Sequence, residues 1–244
     1  MSTFVLEGAN LLAKRDAKGY AMIVQGIASG EDLSVKNERG LRAIDVLARG
    51  LDSEGSAKAI EAMALTDFAP QMLKGPSSSD LPPMFEAAAK GSPMMLEAFL
   101  DLGMPGDSVA TSIRLKLVAG TPFHAIVLGF QESRQDDYAQ CLQKLITYCP
   151  QGIDISDRMR QKPVDLAFRL GAVTGSQTLA NALVSYGVDM NARSKIGAEK
   201  MMEALITNEE DRTLALAIKA QGQANKIIRE LGVDVSSAMP SPSP

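Results

Sequence analysis

Thr121-Pro122-Phe123-His124, followed after a helix-length stretch by Ile153-Asp154-Ile155-Ser156, decides the fold. Thr121 is suited to cap a helix through its side-chain oxygen, and Pro122 fits the first helical position, where its missing N–H costs nothing. His124 then falls in the first turn. From Tyr138 to Tyr148 the apolar residues Leu142, Leu145 and Ile146 recur at helical spacing, which predicts a second helix, and Gly152-Ile153-Asp154-Ile155 closes the unit. The segment therefore reads as two short helices folded back on one another.

The same layout recurs along the chain. Downstream, Pro163-Val164-Asp165-Leu166-Ala167 opens a helix, Leu179 to Tyr186 supplies its partner, and Gly187-Val188-Asp189-Met190-Asn191-Ala192 closes the pair, with 35 positions from Ile153 to Val188. Asn191 to Gly197 reads as the next turn. Glu199-Lys200-Met201-Met202 then keeps a helix without its cap, and Leu214 to Leu231 reads as a partner or capping helix. Upstream, Pro83 to Gly91 with Met95 to Gly103, and Gly40 to Ala48 with Ala57 to Leu65, each give two helices. Residues 10 to 35 read as a divergent first unit whose second helix is hard to find.

Thr-Pro-Phe-His and its Gly-Ile-Asp-Ile closure resemble an ankyrin repeat, a β-turn plus two antiparallel helices recurring at about 33 residues. The resemblance implies an all-α, ankyrin-like helical repeat solenoid with short β-turns. It would run over residues 1–235 as five to six degenerate units, with the Pro/Ser-rich residues 236–244 as a disordered tail. It also implies structural roles for Thr121, Pro122 and His124. In that family the imidazole and the Thr hydroxyl bond to each other and to backbone, tying neighbouring units together.

Composition agrees with thin helical layers. Only 5% of residues are aromatic and Trp is absent, so Leu, Ile, Val, Ala and 13 Met must build the core. Met94-Met95 and Met201-Met202 sit at helix-packing positions. The formal net charge of −4 gives no overall basic field for nucleic acid. No apolar run approaches the length of a membrane span, and the N-terminus lacks the pattern of a Sec-type signal. Cys141 and Cys149, eight apart on one helical stretch, are too distant to bridge and read as reduced thiols in a cytoplasmic protein.

Little in the chain points to catalysis. His124 is the only histidine, so neither a Ser-His-Asp triad nor a zinc constellation can be assembled, and a Cys141–His124 dyad has no base or oxyanion hole beside it. No phosphate-binding glycine loop is present. Asp136-Asp137 and Glu209-Glu210-Asp211 stand at helix starts, where negative charge favours the macrodipole. No catalytic residue, cofactor or metal is expected.

The distinctive feature is positive charge between units. Lys36, Arg39, Arg114, Lys116, Arg158, Arg160, Lys162, Arg193 and Lys195 all fall between one unit's second helix and the next unit's first. Packed helices lie about 8–10 Å apart, so these tips are expected to form a positive stripe that, with the concave face made by the exposed sides of the first helices, binds another protein with an acidic surface. No nucleic acid or membrane partner is expected. Short degenerate arrays of this kind resemble cytosolic adaptors and bacterial effectors delivered into host cells without a Sec signal. The rival expectations are a toxin-like enzyme with its activity in residues 1 to 35 or 195 to 235, and a purely structural subunit.

Overall fold

The computed structural model describes residues 3–72, 74–76, 80–112, 115–174, 178–188 and 209–230. Within them lie twelve α-helices and one two-stranded sheet, so the fold is all-α. The helices come in pairs. Helix α1 (Phe4–Leu12) pairs with α2 (Lys18–Ala28), α3 (Ala43–Arg49) with α4 (Glu54–Ala64), and, after the short α5 (Ala69–Met72), α6 (Pro83–Lys90) with α7 (Pro93–Asp101). Then α8 (Pro122–Gly129) pairs with α9 (Gln135–Tyr148), α10 (Pro163–Thr174) with α11 (Thr178–Ser185), and α12 (Glu209–Glu230) follows.

Each pair packs on the next in two rows. The first helices touch in the order α1, α3, α6, α8, α10, and the second helices in the order α2, α4, α7, α9, α11, α12. Apolar side chains from both rows fill one continuous core. Residues 4–28 thus make a plain helical hairpin, whose second helix the sequence had left hidden. Only Gly19, Ile23 and Gly26 of that helix are buried, and two of these three are glycines.

The first helices begin at residues 4, 43, 83, 122 and 163, at intervals of 39 to 41. This is longer than the 35 positions read between Ile153 and Val188, because the extra residues lie in the connections. Turns inside a pair are short, whereas 14 to 20 residues join one pair to the next. Those connections bring apolar side chains of their own, and Leu33, Phe68, Met72, Leu81, Met104, Leu117 and Ile153 are all buried. The longest contains the sheet, β1 (Ala110–Ser112) antiparallel to β2 (Leu117–Gly120).

One consequence departs from the sequence reading. Residues 43–48 of α3, 83–89 of α6, 122–127 of α8 and 163–168 of α10 are buried. Flanked by neighbouring first helices, backed by the second row and packed against by the connections, they expose little surface. Apolar residues on every side of Pro122-Phe123-His124-Ala125-Ile126-Val127 suit such an all-round burial.

Two contacts show how closely the helices approach. At Gly129 a Cβ would lie 1.9 Å from the carbonyl oxygen of Ala89, so only glycine lets α8 pass α6 at this distance. Just beyond, the Tyr138 hydroxyl reaches the carbonyl oxygens of both Gly129 and Ala89, tying α9 to the ends of α6 and α8. Burial pushes the Tyr138 phenol up to about 12, so it remains a donor. Arg134 adds a clamp, donating to the Lys90 and Gly91 carbonyl oxygens at the end of α6 while paired with Asp137.

Residues 189–208 and 231–244 lie outside the described residues, and with them the turn read at Asn191 to Gly197, the helix read at Glu199 to Met202 and the tail read at 236–244. Among the described residues no helix is long and apolar enough to cross a membrane.

Candidate partner-binding surface

The tips between units are built by a local rule that the chain uses more than once. At residues 37–41, the Asn37 N–H donates to Leu41 O and the Gly40 N–H to Asn37 O, while the Asn37 side chain accepts from the N–H groups of Arg39 and Leu41. Residues 157–161 repeat this turn. The Asp157 N–H donates to Gln161 O, the Arg160 N–H to Asp157 O, and the Asp157 carboxylate accepts from the Gln161 N–H.

In three units the residue two places before the N-cap is left-handed. Gly40, Ala119 and Arg160 have φ of +73°, +50° and +60°. Glycine adopts this conformation freely, whereas a residue with a Cβ loses about 1–2 kcal/mol there.

Immediately after each tip comes the helix start. Thr121 and His124 form a reciprocal capping box there, and the Thr121 hydroxyl lies 3.0 Å from Nδ1 of His124. The imidazole supplies the firmer half, because Nδ1 accepts the Thr121 N–H at 3.1 Å. Nδ1 facing an N–H donor must be the unprotonated nitrogen, so Nε2 carries the proton and donates it to Gln161 O at 2.9 Å. His124 thereby binds its own helix to the turn of the following unit. Burial holds its pKa below the ordinary value, against the pull of Asp157 and Asp165.

Asp45 and Asp165 occupy the same place in their helices. The Arg42 N–H donates to Asp45 (2.9 Å) and the Lys162 N–H to Asp165 (3.0 Å). Arg42 itself is buried, paired with Asp45 at 2.7 Å, donating to Gln71 O and Lys74 O and lying over the Phe68 ring, so it pins the connection of residues 65–82 onto α3. This signal was legible in the sequence as Arg42-Ala43-Ile44-Asp45 and Lys162-Pro163-Val164-Asp165, each with the acid three places after the cap.

The nine cations expected at the tips fare differently. Arg114, Arg193 and Lys195 lie outside the described residues. Lys162 is no tip charge: it is 7% exposed, and its ammonium pairs with Asp154 at 3.3 Å, because the N-cap position points into the seam between units. Lys36 is exposed but donates to Pro76 O at 2.7 Å, fastening one connection to the next. Arg39, Lys116, Arg158 and Arg160 are exposed and form no ion pair among the described residues. Met159, overlooked in the sequence, stands 63% exposed between two of them.

Two of the tips are joined directly. The Arg158 N–H donates to Val118 O at 3.0 Å, so the turn at 157–161 leans on strand β2.

Elsewhere the titratable groups serve the fold. Neither imidazole nitrogen of His124 is engaged with Cys141, and both cysteines are buried free thiols whose pKa burial raises. Among the described residues no group of three His, Cys, Asp or Glu could hold a metal ion. A shallow groove of about 250 Å³ between α7 and α9 is lined by Glu97, Gln140, Gln143, Lys144, Thr147 and Tyr148, with Lys144 paired to Glu97 across it.

No protein-family model matches this chain, and no curated protein matches it.

Proposed function

We propose that this protein is a non-catalytic protein-interaction module, an ankyrin-like helical repeat array of the adaptor or effector kind that docks another protein on the edge formed by its inter-unit turns. It would act in a cytoplasm, either its own cell's or that of a host. The observation that carries this reading is the contrast between interior and edge. Arg42, Asp45, His124 and Asp165 are buried and spent on holding units together, while Arg39, Lys116, Arg158 and Arg160 stand exposed without ion-pair partners among the described residues. Charges that serve the fold are paired; unpaired exposed cations on one rigid edge are available to a partner.

The docking surface is the turn edge rather than the first helices, which the connections leave little room to expose. Rigid helical pairs hold the tips at fixed spacing, so a partner meets a preorganised surface and little ordering cost is incurred on binding.

Site-specific photocrosslinking in cells tests this reading. A benzophenone amino acid placed at 39, 116 or 158 is expected to give discrete higher-mass adducts. The same group at Gln140 or Lys58, on the outer faces of second helices, should give none. Equal adducts from both sets of positions would refute the turn edge as the docking surface, and none from any position would refute the interaction module.

A further inference from the structure

We infer that the turn at 157–161 and residues 116–118, at the start of strand β2, form a single seat for an acidic segment of the partner, with one apolar side chain among its carboxylates. This rests on the docking role proposed above and narrows it to one place and one chemistry. The Arg158 N–H bonded to Val118 O joins the two tips backbone to backbone. Lys116 and Arg160 each lie two residues from that bond, within about 10 Å along the chain. Three exposed cations from consecutive units therefore lie within two residues of one backbone hydrogen bond, with Met159 exposed between Arg158 and Arg160.

Backbone conformation supplies an independent reason to single out this place. Lys116 and Arg160 both have positive φ, +54° and +60°. The chain contains its own comparison, because the turn at 37–41 shares three of its hydrogen bonds with the turn at 157–161 and has Gly40 where the second turn has Arg160. Glycine satisfies the turn without strain. The arginine side chain at 160 answers to something other than the turn's geometry, and strained, exposed polar residues mark binding sites.

The chemistry of the seat selects its occupant. Arg158 and Arg160 offer planar forks that match carboxylates in two-point contact, and the thioether of Met159 adapts to apolar side chains of varied shape. A nucleic acid is the weaker candidate. The protein carries a net charge of −4, which repels an extended polyanion beyond the patch, whereas a short acidic segment meets only the patch.

Fluorescence anisotropy at 150 mM salt tests this with four labelled probes. These are a 12-residue Glu/Asp peptide with one central leucine, the same peptide with serine for the leucine, a version with lysines for the acids, and a 12-nucleotide oligothymidylate. The leucine-containing acidic peptide is expected to bind at least fivefold more tightly than the other three. Arg160→Gly, which the turn accommodates, should weaken that binding at least threefold without lowering the melting temperature, and Lys58→Glu, on the outer face of a second helix, should leave it unchanged. Equal affinity for the leucine and serine peptides, tighter binding of the oligonucleotide, no binding of any probe, or parental binding by Arg160→Gly would each overturn the seat. Loss of binding in Arg39→Glu with none in Arg160→Gly would overturn the seat while leaving the docking edge standing elsewhere.

Discussion

Replacing His124 by alanine removes a side chain that bonds both its own helix start and the turn of the next unit. The Thr121 N–H and the Thr121 hydroxyl both lose their acceptor in a fully buried setting, while Gln161 O keeps the Asp157 N–H. A buried donor left unpaired costs about 1–3 kcal/mol, and the vacated ring volume adds a cavity term of the same order. A destabilisation of about 3–5 kcal/mol at pH 7.5 is expected, read from urea denaturation. The loss should shrink with acid. His124 has a folded-state pKa below its unfolded value of about 6.5, so the unfolded chain binds more protons in that window. The parent's stability from this group is complete above about pH 6.5 and falls as pH drops towards the folded pKa, by at most about 1.4 kcal/mol per unit. The alanine variant lacks that slope. A gap between parent and variant below 1 kcal/mol at pH 7.5, or one that is the same at pH 7.5 and 5.5, would refute the neutral, doubly bonded imidazole.

Thr121→Ala should cost only about 1 kcal/mol in the same assay, because the imidazole still caps the backbone N–H; a loss matching that of His124→Ala would show that the hydroxyl is the true cap. Tyr138→Phe keeps the ring and deletes the donor shared by Gly129 O and Ala89 O, so about 1–2 kcal/mol should be lost, and an unchanged melt would dismiss that tie. Gly129→Ala forces a Cβ against Ala89 O and is expected to cost more than 2 kcal/mol or to abolish folding; ordinary stability would mean that α6 and α8 lie farther apart. Ala119→Gly should instead stabilise by about 0.5–1 kcal/mol, relief of the left-handed backbone outweighing the added chain entropy, and any destabilisation contradicts that φ.

The pairing of helices was readable wherever an apolar run followed a cap. Thr121-Pro122-Phe123-His124 and Pro163-Val164-Asp165 announce their helices because proline at the first position and a polar group three places after the cap are local requirements. Helix α2 was hard to see because Gly19 and Gly26, poor helix formers, carry its contacts: a Cβ on Gly19 would lie 2.3 Å from Gly8 O. The roughly 40-residue interval escaped notice for a different reason. Residues such as Leu33, Phe68 and Leu81 sit in connections whose pattern is neither helical nor alternating, and only the fold reveals that they are buried. The tip cations were found by position, but position could not separate Lys162 from Arg160. Two residues apart in the chain, one points into the seam and the other out of the turn, and that difference depends on where the neighbouring unit packs.

The claim that the turn edge is the working surface is tested most directly by quantitative affinity capture from extracts of the organism's own cells and of its host's cells. The parent protein would be compared with a variant carrying Arg39→Glu, Lys116→Glu, Arg158→Glu and Arg160→Glu, after circular dichroism and thermal melts have matched the two. At least one protein captured by the parent should fall tenfold or more on the variant. An identical set of captured proteins, in equal amounts, would contradict the account.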